Sequence, residues 1–196
     1  ARGAERGPPP LHAIAAADVL AMPGDEENFS FDYGHAHLVV ANDTPEQLDD
    51  MTGKIPAFLT ADLAAHASAP WLIVNHHRPV YSASTRHGSD TTLRDTWAPI
   101  FDQAQVDLVL NGHDHDYERT KPMRGNQAQA SAADGTIYVV SGGAGAELYE
   151  NGSDFWTETS ASLHSATVVR VRASQLSLDA FDETGAAVDA FTIARP

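Results

Sequence analysis

Two short apolar runs end abruptly in polar residues: Trp71–Val74 in "PWLIVNHH" and Leu108–Leu110 in "VDLVLNGHDH". Such runs, without polar alternation, mark strands covered on both faces. "DGTIYVVSGGAGAELY" predicts another strand, running into a Gly-rich loop. "FSFDYGHAHLVVAND" (29–43) alternates and then turns apolar, which predicts one or two strands with a turn at Gly34. Between the strands, "IPAFLTADLAAHA" groups Phe58, Leu59 and Leu63 on one helical face. "TTLRDTWAPIFDQAQ" spaces Leu93, Trp97, Ile100, Phe101 and Ala104 at helical intervals, and Pro99 should kink or restart that helix. "TPEQLDD" opens like a capped helix, with Thr44 as N-cap and Pro45 at the first helical position.

The tail behaves differently. "ATVVRVRAS", "QLSLDAFDE" and "AVDAFTIA" alternate with period two, and "DETG" between the last two reads as a turn, so an antiparallel meander is expected. Residues 1–28 read as an irregular lead, since Pro8, Pro9 and Pro10 disfavour helix. Residues 29–196 then form a layered α/β domain of helices between apolar strands, followed by a meander. There is no internal repeat.

Composition narrows the chemistry. At 196 residues one domain is the default. No apolar run approaches the ~18 residues of a membrane span. Twelve basic against 27 acidic residues give a net charge of −15, and Lys54 and Lys121 are the only lysines. That surface repels nucleic acid, and an anionic substrate would need concentrated local positive charge. With no cysteine, a transition-metal site has to be built from His, Asp, Glu, Asn or Tyr.

Both buried strands end in histidine: His76 and His77 after the first, His113 and His115 after the second. Parallel neighbours in a sheet bring such tips to one edge, where α/β proteins bind ligands. On an extended backbone, two residues apart means the same side. His113 and His115 would then reach one metal, or each of two metals about 3.5–4 Å apart. Gly112 is expected to let the chain turn there. A Ser or Cys nucleophile is disfavoured: there is no Cys and no G-x-S-x-G, the Ser of "VVSGGAG" preceding the glycines.

"WLIVNHHRPVYSAS" together with "VDLVLNGHDHDYERT" resembles the second half of a calcineurin-like metallophosphoesterase, nearest the purple acid phosphatase branch. "NFSFDYGHAHLVVAND", "GTIYVVSGGAGAELY" and "GAAVDAFTI" resemble that branch too, so the likeness spans about residues 20–195. The resemblance implies the back half of a four-layer α/β/β/α sandwich closed by the C-terminal meander. It implies His77 and His113 as ligands of the second metal, His115 as a ligand of the first, and His87 beside the substrate phosphate as the catalytic group. His76 has no family role. Tyr117, Glu118 and Arg119 match supporting positions, and Asp114 and Asp116 are expected to face away from the metals. His37 is expected to pack within a strand, and His12, His35, His66 and His164 carry no assignment.

The departure from the family pattern lies in its first half. The GDxG, GDxxY and GNHE motifs, which supply the bridging Asp and the Tyr and Asn ligands, have no counterpart here. "PGDEENF" has Asn28 where Tyr is needed and reads as a loop, and "VVANDT" reads as a strand end. The chain therefore carries three of the expected ligands and no Tyr to give a purple colour. The implied activity is hydrolysis of phosphate esters by two divalent or trivalent transition metals (Fe, Zn or Mn), completed by an N-terminal segment or a companion chain. The alternative is a non-catalytic remnant that binds metal weakly or pairs with a partner. The start of the chain near where GNHE would end favours truncation or processing. Resemblance alone suggests a secreted or periplasmic protein, with no nucleic-acid or membrane partner.

Overall fold

Side-chain alternation along the central strands sets the layers of the molecule. In β3 (Trp71–Asn75), Leu72 and Val74 face one side while Trp71 and Ile73 face the other, and all four are buried. β4 (Leu108–Asn111) and β8 (Ile137–Ser141) divide in the same way, with Val109 and Tyr138 on the first side and Leu108, Ile137 and Val139 on the second. This two-sided burial is what unbroken apolar runs require. The computed structural model describes residues 27–44 and 48–195. The lead at 1–26, including His12, and Pro45, the proposed first helical position after Thr44, lie outside the described residues.

β1 (Phe29–Tyr33) and β2 (Ala36–Val40) form a hairpin in which Tyr33 pairs with Ala36 across Gly34 and His35. Gly34 has φ 60°, the positive value that this tight turn assigns to its first central residue. Among the described residues the main sheet has seven strands, ordered β1-β2-β3-β4-β8-β5-β9, with β5 at Tyr117–Thr120 and β9 at Thr157–Ala161. β2, β3, β4 and β8 run parallel, while antiparallel pairing adds β1 to β2 at one flank and β5 to β8, then β9 to β5, at the other. A short ribbon of β6 (Met123–Arg124) and β7 (Gln127–Ala128) branches off after β5.

One face is covered by α1 (Leu48–Thr52), α2 (Lys54–Ala65), α3 (Thr91–Thr96) and α4 (Ala98–Ala104), through Ile55, Leu59, Leu63, Leu93, Trp97 and Phe101. Pro99 does restart the helix: α3 stops at Thr96 and α4 begins at Ala98, with the proline in its first turn. The other face is covered by the meander β10 (Ser165–Arg172), β11 (Gln175–Asp182) and β12 (Ala187–Ala194), through Leu176, Leu178, Ala180 and Ile193. Each of the leucine, isoleucine and phenylalanine side chains among these contributes roughly 1.5–3 kcal/mol by leaving water. The result is a mixed α/β architecture in which helices, a central sheet and an antiparallel second sheet are stacked in that order.

Across the gap between the sheets, Asp189 of β12 accepts from Tyr117 Oη at 2.9 Å and from Arg119 Nε and Nη2 at 2.5 and 3.1 Å. Glu118 points the opposite way and accepts from Ala83 N, Trp156 Nε1 and Thr157 Oγ1. Tyr117, Glu118 and Arg119 therefore support the fold, as expected. Two of them clamp the meander, and the third fixes the loop that follows β3.

Candidate metal centre

The parallel strands β3 and β4 finish side by side, and backbone hydrogen bonds continue past their ends. His76 N donates to Leu110 O at 3.2 Å, and Gly112 N donates to His77 O at 3.0 Å. This lacing sets His77 against the start of the Gly-His-Asp-His turn. His113 Nδ1 and His77 Nε2 face each other at 3.2 Å, and the two rings meet edge to face at 5.0 Å. His87, from the loop after β3, lies with its ring centroid 4.5 Å from that of His113. His115 stacks on Tyr149 at 4.2 Å, and its Nδ1 donates to the backbone oxygen of Glu147 at 2.7 Å. All four predicted histidines thus gather at one sheet edge, linked through Tyr149, whose ring is 5.5 Å from His87.

The local route differs from the expected one. β4 ends at Asn111, and His113 takes a left-handed conformation with φ 67°, so the two histidines do not share one side of an extended strand. Nor is Gly112 the turning residue. The positions that demand glycine lie in the Gly-rich loop after β8, where a Cβ on Gly142 would sit 2.1 Å from the carbonyl oxygen of Asp114. That close approach lets Gly142 N reach Asp116 O and Tyr149 N reach His115 O. The glycines therefore seat the Tyr149 loop on the histidine turn.

Asp43, in the strand end "VVANDT", has a role that its sequence position does not announce. It is buried just beyond β2, and its carboxylate accepts from His76 Nδ1 at 3.1 Å, His77 N at 3.3 Å and Arg78 N at 2.6 Å. Burial alone would raise its pKa. The hydrogen bond and charge of His76 and the contacts from Arg78 outweigh burial, so the net value is lowered. Arg78 in turn donates through Nε to Asp43 O and pairs through Nη1 with Asp90 at 2.6 Å. His76 is a buried member of this network, edge-on to Trp97, and Asn111 Nδ2 donates to its backbone oxygen. The signal in the sequence was an Asp at the tip of the neighbouring parallel strand.

Asp114 and Asp116 are buried outright, and both turn into the protein. Ser82 Oγ donates to Asp114 Oδ2 at 2.6 Å, which ties the histidine turn to the loop carrying His87. Neither carboxylate oxygen of Asp116 has a hydrogen-bond partner among the described residues. Burial, then the nearby charges of Asp114 and Glu118, push Asp116 up to about 7. His113 moves the other way: burial lowers it first, then the adjacent charges of His87 and His77, with Asp114 opposing them.

A family model for calcineurin-like phosphoesterases matches residues 6–117, more than half of the chain. The chain belongs to the calcineurin-like phosphoesterase family. Within that family it is 34% identical to purple acid phosphatase 21 of Arabidopsis thaliana, over 60% of this chain and 26% of the relative. It is 33% identical to probable inactive purple acid phosphatase 27 of the same plant, over 61% of this chain and 22% of the relative. The structure of purple acid phosphatase PPD1 from yellow lupin seeds superposes with a TM-score of 0.81 at 27% identity, over 92% of this chain and 35% of that one. The chain thus spans about a quarter of the length of these curated relatives. As a C-terminal portion of a phosphoesterase fold, it fits that partial coverage.

Proposed function

We propose that this chain supplies the C-terminal side of a dinuclear metal centre that hydrolyses phosphate esters. The observation that carries the reading is the convergence of His77, His87 and His113 at the tips of β3 and β4, with His77 Nε2 and His113 Nδ1 3.2 Å apart. Donor atoms around a four-coordinate metal with bonds of about 2.1 Å lie about 3.4 Å apart, so this pair fits a shared ion. His115 has committed Nδ1 to a backbone oxygen, which leaves Nε2 as a lone-pair donor. An all-imidazole set suits Fe or Zn, and Mn would depend on the carboxylates of the complementary segment. It is half a set, because neither Asp114 nor Asp116 is turned toward it. The remaining Asp, Tyr and Asn ligands would come from an N-terminal segment or a companion chain.

In this reading His77 and His113 hold the second metal and His115 the first. When bound, the metals supply the positive charge that clamps a phosphate and activates water. His87 sits at the open side of His113, where it can contact the phosphate and give a proton to the leaving alcohol. Arg86 lies 4.7 Å over the Tyr149 ring and adds a cation at the mouth of a protein that otherwise carries a charge of −15. Asp43 and Ser82 hold the two loops on which these groups stand.

The test is hydrolysis of p-nitrophenyl phosphate by the metal-loaded chain joined to its complementary segment. His113→Ala should lower the rate by at least about 10–100-fold. An unchanged rate would sink the reading. A second reading, a non-catalytic remnant, is favoured by the lack of a carboxylate ligand beside these imidazoles among the described residues and by a relative named as probably inactive. It predicts at most weakly bound metal and no hydrolysis even with the complement present.

A further inference from the structure

At the other end of the parallel strands, where β2 begins, a second group of metal-capable side chains comes together. Asp32 of β1, His37 of β2 and His66 at the C-terminal cap of α2 offer ligand atoms that all lie within 4.8 Å of one another. Asp62 of α2 orients both rings. Its carboxylate Oδ2 accepts from His37 Nε2 at 2.8 Å, and its backbone oxygen accepts from His66 Nδ1 at 2.8 Å. Ser30 Oγ holds the other carboxylate oxygen at 2.7 Å. Carboxylate and carbonyl oxygens only accept, so His37 carries a proton on Nε2 and His66 on Nδ1. A histidine whose far nitrogen is fixed by a carboxylate or a carbonyl is the arrangement that metal ligands use.

That assignment leaves a conflict. His37 Nδ1 lies 2.8 Å from Asp32 Oδ1, and with the Nε2 proton committed two lone pairs face each other. A positive centre has to lie between them, either an additional proton or a metal ion. The His37 and His66 rings stack at 3.7 Å and 12°, an arrangement that two imidazolium ions would oppose.

We propose that Asp32, His37 and His66 form a mononuclear site for a divalent first-row transition cation, separate from the centre at the strand tips. Two imidazoles and a carboxylate make a ligand set that zinc accepts, with water in the fourth position. An adjoining pocket of about 260 Å³, lined by Asp32, His35, His66 and Ser68 among others, gives room for that water. Tetrahedral donors lie about 3.4 Å apart, so loading opens the 2.8 Å His37–Asp32 pair slightly, brings His66 to the same ion and splays the stacked rings. The movement falls on the exposed Asp32 and the half-exposed His66, while buried His37 stays fixed. Bound metal would tie the β1–β2 hairpin to the end of α2.

The experiment is a calorimetric titration of the full chain with Zn²⁺. The chain carries His113→Ala, so that the strand-tip centre does not dominate the signal. One equivalent should still bind, with proton release, since the metal takes the place of the proton at His37 Nδ1. Adding His66→Ala or Asp32→Asn should weaken that binding at least tenfold. In the unsubstituted chain, Zn²⁺ should protect His66 from diethyl pyrocarbonate, read by mass spectrometry without relying on any variant folding. Undiminished zinc binding in both variants, or His66 labelled equally fast with and without Zn²⁺, would show that only a proton bridges Asp32 and His37 and would overturn the proposal.

Discussion

Substituting Asp43 by Ala strips the acceptor from His76 Nδ1, His77 N and Arg78 N at once. The site is buried, so the cost is on the order of 3 kcal/mol, checked by urea unfolding of the two proteins. Because His77 stands on that turn, the variant should also hold less metal at the strand tips, and unaltered metal content with lowered stability would show that Asp43 serves stability alone. Asp43 was hard to read because its partners lie more than thirty residues away and a lone Asp at a strand end is ordinary. The histidines were easier, since each followed an unbroken apolar run whose end could be counted. Their precise approach was not readable, since it depends on the left-handed backbone at His113 and on Gly142 seating a distant loop.

Between the sheets, β5 and β12 are joined by one carboxylate, that of Asp189. Burial would raise its pKa, but hydrogen bonds from Arg119 and Tyr117 and the charge of Arg119 outweigh burial, and the folded value is lowered. A carboxylate whose pKa is lower when folded contributes stability above its unfolded value of about 3.9, and that contribution is lost as pH falls through the folded value. Asp189→Asn should therefore destabilise most at pH 6, by roughly 2–3 kcal/mol, and progressively less below pH 4. Urea midpoints at pH 6 and pH 3 measure this, and an equal loss at both pH values would contradict the ion-pair account. The elements themselves were legible: the meander from its period-two alternation, the helix restart from Pro99, the hairpin from Gly34. The seven-strand order was not, because β5 inserts between β8 and β9 through pairings that no local pattern announces.

For the whole molecule, β1 forms one edge of the main sheet among the described residues and shows Phe31 and Tyr33 to solvent there, Tyr33 at 78% exposure. An exposed edge strand bearing aromatics is a template for pairing with another chain. The chain on its own should self-associate with rising concentration in sedimentation velocity, and Phe31→Lys should reduce that association. A monodisperse monomer at high concentration, without any second polypeptide, would count against an unpartnered edge.

The central claim is that the strand-tip imidazoles are one side of a dinuclear centre. Elemental analysis of the tag-free chain purified with its complementary segment tests it most directly, in the Asp32→Asn, His66→Ala background so that the second site is not counted. The account predicts about two transition metals per chain, falling to one or fewer in His113→Ala. Metal content that does not change when His113 is removed would contradict it.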